Sequence, residues 1–219
     1  GHDVRDEAVR ECGVSDPTPR ALGFRMPAEW EPHAGTWVSF PRPEGISFPG
    51  LYERVPAFWL RMIEELSQGE DVHVNVLDAE DEARIAALVA ASGRTRRERV
   101  HLHRIPTNEP WCRDHGPIFV TRPGEVAIVD WGYNAWGGKY PPFDRDDAVP
   151  GRVGELLGLR VFRPGIVMEG GSLDVNGRGT LLTTESCLLN PNRNPTLDRA
   201  AIEERLREFL GVRHVVWLG

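Results

Sequence analysis

The alternation of short β-rich runs with amphipathic stretches limits this chain more than any other feature. Runs at 35–40, 72–77, 117–121, 126–131, 160–163, 172–176, 180–184 and 214–218 are rich in β-branched and aromatic residues, which suit a pleated, half-buried strand. Helical patterns lie between them. Within 54–66, Val55, Trp59, Met62, Ile63 and Leu66 recur at spacings of three and four and share one face. Helices are also predicted at 79–91, 152–157 and 198–210. In the last of these Ile202, Leu206, Phe209 and Leu210 line one side, Glu203 and Arg207 stand four apart, and Gly211 occupies the C-cap position. The order β–α–β, then ββ, α, ββ, α, β predicts an α+β fold of repeated units, not a smooth doubly wound sheet. The segments VTRPGEVAIVDW and DVNGRGTLLTT read as hairpins, turning at Pro123-Gly124 and at 176–179.

With 219 residues, 40% hydrophobic and 27% charged, the chain has enough material for one sizeable core. Residues 1–23, charged and ending in a Pro-rich stretch, read as an N-terminal arm or tag remnant, and 24–219 as one folding unit. The net charge of −7 disfavours nucleic acid and suits a cationic ligand. No apolar run reaches membrane-spanning length. Three widely spaced cysteines, Cys12, Cys112 and Cys187, form neither a disulfide framework nor a zinc cluster. A cytoplasmic protein without a metal or other cofactor is the expectation.

Three segments invite a chemical reading. NEPWCRDHGPIFV (108–120) places Asp114 beside Arg113 just ahead of a strand. On an extended chain neighbours point to opposite faces, so one of the two can enter a pocket while the other forms a salt bridge behind it. The plain alternative is a turn in which Asp114 satisfies backbone donors. WGYNAWGGKY (131–140) carries Trp136, Gly137 and Gly138 in a loop that either lets backbone and aromatic rings approach a ligand or folds over the core. MEGGSLDVN (168–176) sets Glu169 before two glycines that permit a sharp turn, or is an ordinary strand entry. Two carboxylates in such rigid settings suit a planar guanidinium. The turn-rich NPNRNP (190–195) reads as structural. His101 and His103 share a strand face without further metal ligands, and neither Cys112 nor Cys187 has the positive surroundings a nucleophilic thiolate needs.

These segments, together with MPAEWEPHAGTWVSFP (26–41) and the terminal EERLREFLGVRHVVWLG, resemble agmatine deiminases and, more broadly, the bacterial peptidyl-arginine deiminase family of guanidine-modifying enzymes. The resemblance implies a pentein-type α/β propeller of five ββαβ units, of which this chain would hold about three. It implies a small cationic guanidino substrate, Asp114 and Glu169 as the carboxylates that hold it, and Trp111, Trp136, Gly137 and Gly138 in the pocket walls. It also implies a cysteine nucleophile and a His-x-Asp motif. No His-x-Asp occurs in this chain, which is therefore expected not to turn over alone. Its last strand would leave an open edge for a missing C-terminal part, a second chain or a homo-oligomer to cover. Asn108-Glu109-Pro110 stands where agmatine deiminases commonly begin Asn-Asp, so three readings stay open. They are agmatine hydrolysis to N-carbamoylputrescine and ammonia, citrullination of peptidyl arginine, and a non-catalytic guanidinium-binding or assembly fragment.

Overall fold

The computed structural model describes residues 17–219, whose strands form three sheets of three strands each. The first sheet contains β1 (Gly35–Ser39), β2 (Asp71–Asn75) and β3 (Val100–His103), all parallel. Parallel neighbours need helical crossovers, supplied by α1 (Val55–Leu66) and α2 (Ala79–Ala91). This sheet departs from a ββαβ unit because no hairpin opens it. Its third strand is the segment that bears His101 and His103. Pro56 at the start of α1 fits a position where a missing N–H is harmless, and Asp78 caps α2 by accepting from the Glu80 and Asp81 amides.

A single helical turn, α3 (Cys112–His115), leads into the second sheet. There β4 (Ile118–Arg122) and β5 (Glu125–Val129) form the expected hairpin, with Gly124 at a φ of 77° after Pro123. Two short turns, α4 (Ala135–Gly138) and α5 (Asp144–Asp147), precede α6 (Val149–Leu157) and then β6 (Arg160–Phe162), which runs parallel to β5. The helix begins three residues before the predicted 152 because Pro150 is accepted in its first turn. The third sheet repeats the plan. β7 (Asp174–Val175) and β8 (Thr180–Thr184) are antiparallel; after the turn α7 (Glu185–Leu188) and the helix α8 (Arg199–Leu210), β9 (His214–Leu218) pairs parallel to β8 as an edge strand. Asp198 caps α8 through the Ala201 amide, and Gly211 closes it at φ 67°.

Periodicity decides which faces meet. Val72, Val74 and Val38 point to the side where Ile63 of α1 and Ile85 of α2 are fully buried. The second and third sheets share a larger core, in which Val120, Ala127 and Val129 meet Val175, Leu181 and the buried stripe Ile202, Leu206 and Leu210 of α8. Ile128 points to the other face of the second sheet, with Val149 and Val153 of α6 and with Trp37 of β1. Each fully buried Val, Leu or Ile among them contributes about 1.5–3 kcal/mol. Of the 1–23 segment, 1–16 lie outside the described residues. Beyond them, the Arg20 amide donates to Glu208 and Arg122 donates to the Leu22 carbonyl. No helix among the described residues is long and apolar enough to cross a membrane.

Candidate active site

Asp114 stands on α3, not on an extended chain. The Asp114 and His115 amides both donate to the Trp111 carbonyl, closing the turn. The expected division of labour is nevertheless present: Arg113 pairs with Glu29 on the outside, while Asp114 lines a cavity of about 390 Å³. Gly170 and Gly171 press against this turn. A Cβ on Gly170 would strike the Arg113 carbonyl, and one on Gly171 would strike the Asp114 carboxylate, so the Glu-Gly-Gly sequence is a close-approach requirement. Burial raises the Asp114 pKa; the Trp136 indole N–H, donating to Oδ2 at 3.2 Å, opposes that, and the charge of Glu169 adds to it.

Trp136 reaches Asp114 from a strained loop. Ala135 and Trp136 have φ of 50° and 58°, a region that non-glycine residues enter at a cost. Asn134 holds the bend by accepting from the Gly137 amide at 2.8 Å and donating to the Asn192 carbonyl at 3.0 Å. Trp136 is packed edge-on between Tyr133 and Tyr140. Gly137 and Gly138 do not line the cavity. Gly137 packs against the Asn192 side chain, and both glycines adopt positive φ. Their part is to bend the backbone that carries Trp136.

Glu169 is 3% exposed and lines the same cavity as Asp114 and Trp136. Its carboxylate is already engaged. Arg193 places both Nε, at 2.8 Å, and Nη2 on Oε1, while the Cys187 thiol donates to Oε2 at 3.2 Å. Arg193 belongs to the segment read from sequence as structural, and no local pattern could have paired it with an acid 24 residues away. Cys187 is pushed up to about 11, by burial first and then by Glu169. Cys112 reaches about 12 through desolvation, with Ser39 opposing. Neither is a thiolate near neutral pH.

A second cavity of about 450 Å³ shares Asp114 and Trp136 with the first and adds Ile46, Ser47, Glu109, Trp111 and Tyr140. Buried Glu109 accepts from the Ile46 amide at 2.7 Å and from Ser47, and the Trp111 indole donates to Ser47 Oγ at 2.7 Å. Sequence reasoning did not single out Ser47 or give Glu109 a role. Among the described residues no cationic side chain lines this chamber. His101 and His103 line neither cavity. With His73 they stack near Trp37, and His73 Nδ1 lies 2.9 Å from His103 Nε2. Among the described residues no group of three His, Cys, Asp or Glu is arranged to hold a metal.

Known proteins resemble this chain in sequence and fold. The model of the Porphyromonas-type peptidyl-arginine deiminase family matches residues 25–219. This chain belongs to that family. It is 44% identical over 208 residues to the agmatine deiminase of Ectopseudomonas mendocina, covering 92% of this chain and 54% of the relative. It is 41% identical over 214 residues to that of Pseudomonas aeruginosa, covering 94% and 56%. Among solved structures, the agmatine deiminase of Enterococcus faecalis superposes with a TM-score of 0.84 at 35% identity, over 94% of this chain and 56% of that one. A C. jejuni agmatine deiminase with substrate bound gives 0.78 at 26% identity, over 89% and 56%. The chain thus spans about half the length of the curated family members it matches.

Proposed function

We propose that the joined cavities bind a guanidino compound, with Asp114 and Glu169 as its carboxylates and Trp136 and Trp111 as its aromatic walls, and that agmatine is the substrate. The observation that carries this is the convergence of Asp114, Glu169 and the Trp136 indole on one cavity, with Asp174 and the Glu169-bound Arg193 also in its lining, next to a chamber in which Glu109 is the one further charged group among the described residues. A ligand with a guanidinium at one end and an ammonium at the other matches that polarity. A free carboxylate at the far end does not, because no cationic side chain among the described residues lines the chamber to meet it. A peptide-borne arginine ends in neutral amides and remains the competing ligand.

The reaction is hydrolysis to a ureido product and ammonia. A thiolate attacks the guanidinium carbon, the C–N bond to the departing nitrogen breaks as that nitrogen takes a proton, and water then releases the product and restores the thiol. Burial pushes the thiols of Cys112 and Cys187 up, which disfavours both as the nucleophile; in this reading the thiolate and its histidine are supplied from outside residues 17–219. In the same reading the three sheets are three of five propeller units, 24–219 is one partial deiminase domain, and the protein is cytoplasmic. The exposed face of Leu182, Val216 and Leu218 beside the first cavity is covered by a further segment, a second chain or another copy.

The test is calorimetric titration of this chain with agmatine, arginine and an acylated arginine amide, followed by an ammonia assay. Agmatine is expected to bind best, and no ammonia is expected. Failure to bind any of the three sinks the proposal. Tighter binding of the acylated amide transfers it to peptide substrates, and released ammonia refutes the external nucleophile.

A further inference from the structure

The turn α5, Asp144–Asp147, in which Asp146 alone is buried, lines neither of the two cavities, yet it holds the segments that wall them. Asp146 is 1% exposed. Its Oδ1 accepts from the Asn108 amide at 2.6 Å, and both oxygens lie 3.2–3.3 Å from the Glu109 amide. Asn108 returns the contact, its Oδ1 accepting from the Arg145 and Asp146 amides at 2.9 and 3.2 Å. This reciprocal clamp fixes the segment that carries Glu109, and Glu109 in turn holds Ile46 and Ser47 at the far wall. On the other side, Asp147 Oδ1 accepts from the Tyr133 amide at 2.7 Å, three residues before Trp136. Carboxylates bonded to backbone amides make stronger, shorter links than neutral acceptors do.

We infer that α5 is the bracket that sets the two cavity loops against each other, with Asp146 and Asp147 as positioning residues that act through residues 108–111 and 131–140. The inference rests on reading the cavities as the guanidinium site. The chain has an unusual need for such a bracket, because Trp136 sits in a conformation that a free loop would abandon. A shift of about 1 Å is enough to uncouple an indole from the acid it bonds.

The experiment compares amide hydrogen exchange, residue by residue, with agmatine affinity in Asp146→Ala, Asp147→Ala and the conservative Asp146→Asn and Asp147→Asn. Asp147→Ala should speed exchange at the Tyr133 amide about 10-fold and leave those of Asn108 and Glu109 unchanged; Asp146→Ala should do the reverse. The Asn variants, which keep an acceptor oxygen, should restore protection. Both Ala variants should weaken agmatine about 10-fold, while protection across β5 and α6 stays as in the unaltered chain. Unchanged exchange at these amides, or an even rise across β5 and α6, overturns the inference. If the unaltered chain binds no agmatine, the guanidinium reading falls, and the exchange measurements still decide whether α5 is the bracket. Asp147, on the exposed side of the turn, gives a variant expected to fold even if Asp146→Ala does not.

Discussion

At the scale of single residues, the most consequential contact is an internal guanidinium. Arg193 and Glu169 are 7% and 4% exposed at their side chains, so removing one partner strands a charge. Arg193→Met is expected to lower stability in urea by about 3–5 kcal/mol, whereas Glu169→Met together with Arg193→Met should recover most of that loss. An equal or larger loss in the double variant would mean that packing, not pairing, is what Arg193 supplies. The pair also leaves the two acids differently engaged. Glu169 has both oxygens occupied, and Asp114 has one oxygen bonded to Trp136. Asp114→Asn should therefore weaken agmatine about 10- to 100-fold in a titration, the range for losing a charged hydrogen bond. The thiol of Cys187, raised to about 11, should alkylate slowly at pH 7 and faster towards pH 11 when its peptide is followed by mass spectrometry. Rapid labelling at pH 7 would contradict its burial against Glu169.

At the scale of elements, the site depends on turns too short to have a periodicity. The contact of the turn α3 with Gly170 and Gly171 tolerates no Cβ. Gly171→Ala should thus cost agmatine binding more than Gly211→Ala does, although Gly211→Ala places a side chain at φ 67° against the Phe24 carbonyl and should cost at least about 1–2 kcal/mol of stability. Affinity measured beside urea unfolding separates the two effects; parallel losses of both quantities in both variants would show that Gly171 matters only for folding. The long elements behave as their caps and stripes dictate. Asp78 before α2 and Asp198 before α8 each accept from first-turn amides, and helix boundaries follow from them. The helical form of residues 112–115 was not legible, because Cys-Arg-Asp-His has no helical stripe and its turn is closed by the Trp111 carbonyl. The place of β3 in the first sheet was hidden as well, since it is only four residues long and half of it is histidine.

At the scale of the whole molecule, buried titratable groups pull stability in opposite directions with pH. Burial holds His115 down to about 4, below the 6.5 of an exposed imidazole. The neutral form is thus favoured on folding, and its contribution is fully present above pH 6.5 and is lost as pH falls towards 4. Burial pushes Asp146 up to about 7, above 3.8, so it opposes folding above pH 7 and ceases to do so as pH falls towards 3.8. The two limbs overlap in the unaltered chain, so variants must separate them. Relative to the unaltered chain, His115→Gln should gain stability as pH is lowered from 6.5 to 4, and Asp146→Asn should lose its relative advantage over the same range. Parallel curves for the unaltered chain and His115→Gln would show that His115 does not titrate differently on folding.

The sequence by itself determined the longer strands and helices, because alternation and three–four spacing are local properties of the chain, and it marked Asp114, Glu169, Trp111 and Trp136 as residues in rigid, unusual settings. Only the tertiary structure decided how they meet. It brought Arg193 onto Glu169, closed Asn108 on Asp146, and assigned Gly137 and Gly138 to bending the backbone while Gly170 and Gly171 admit the α3 turn. Arg193 and Glu169 lie 24 residues apart, and Asn108 and Asp146 lie 38 apart. A pairing across that distance is fixed by which sheet faces share a core, and that selection leaves no periodic trace in the chain.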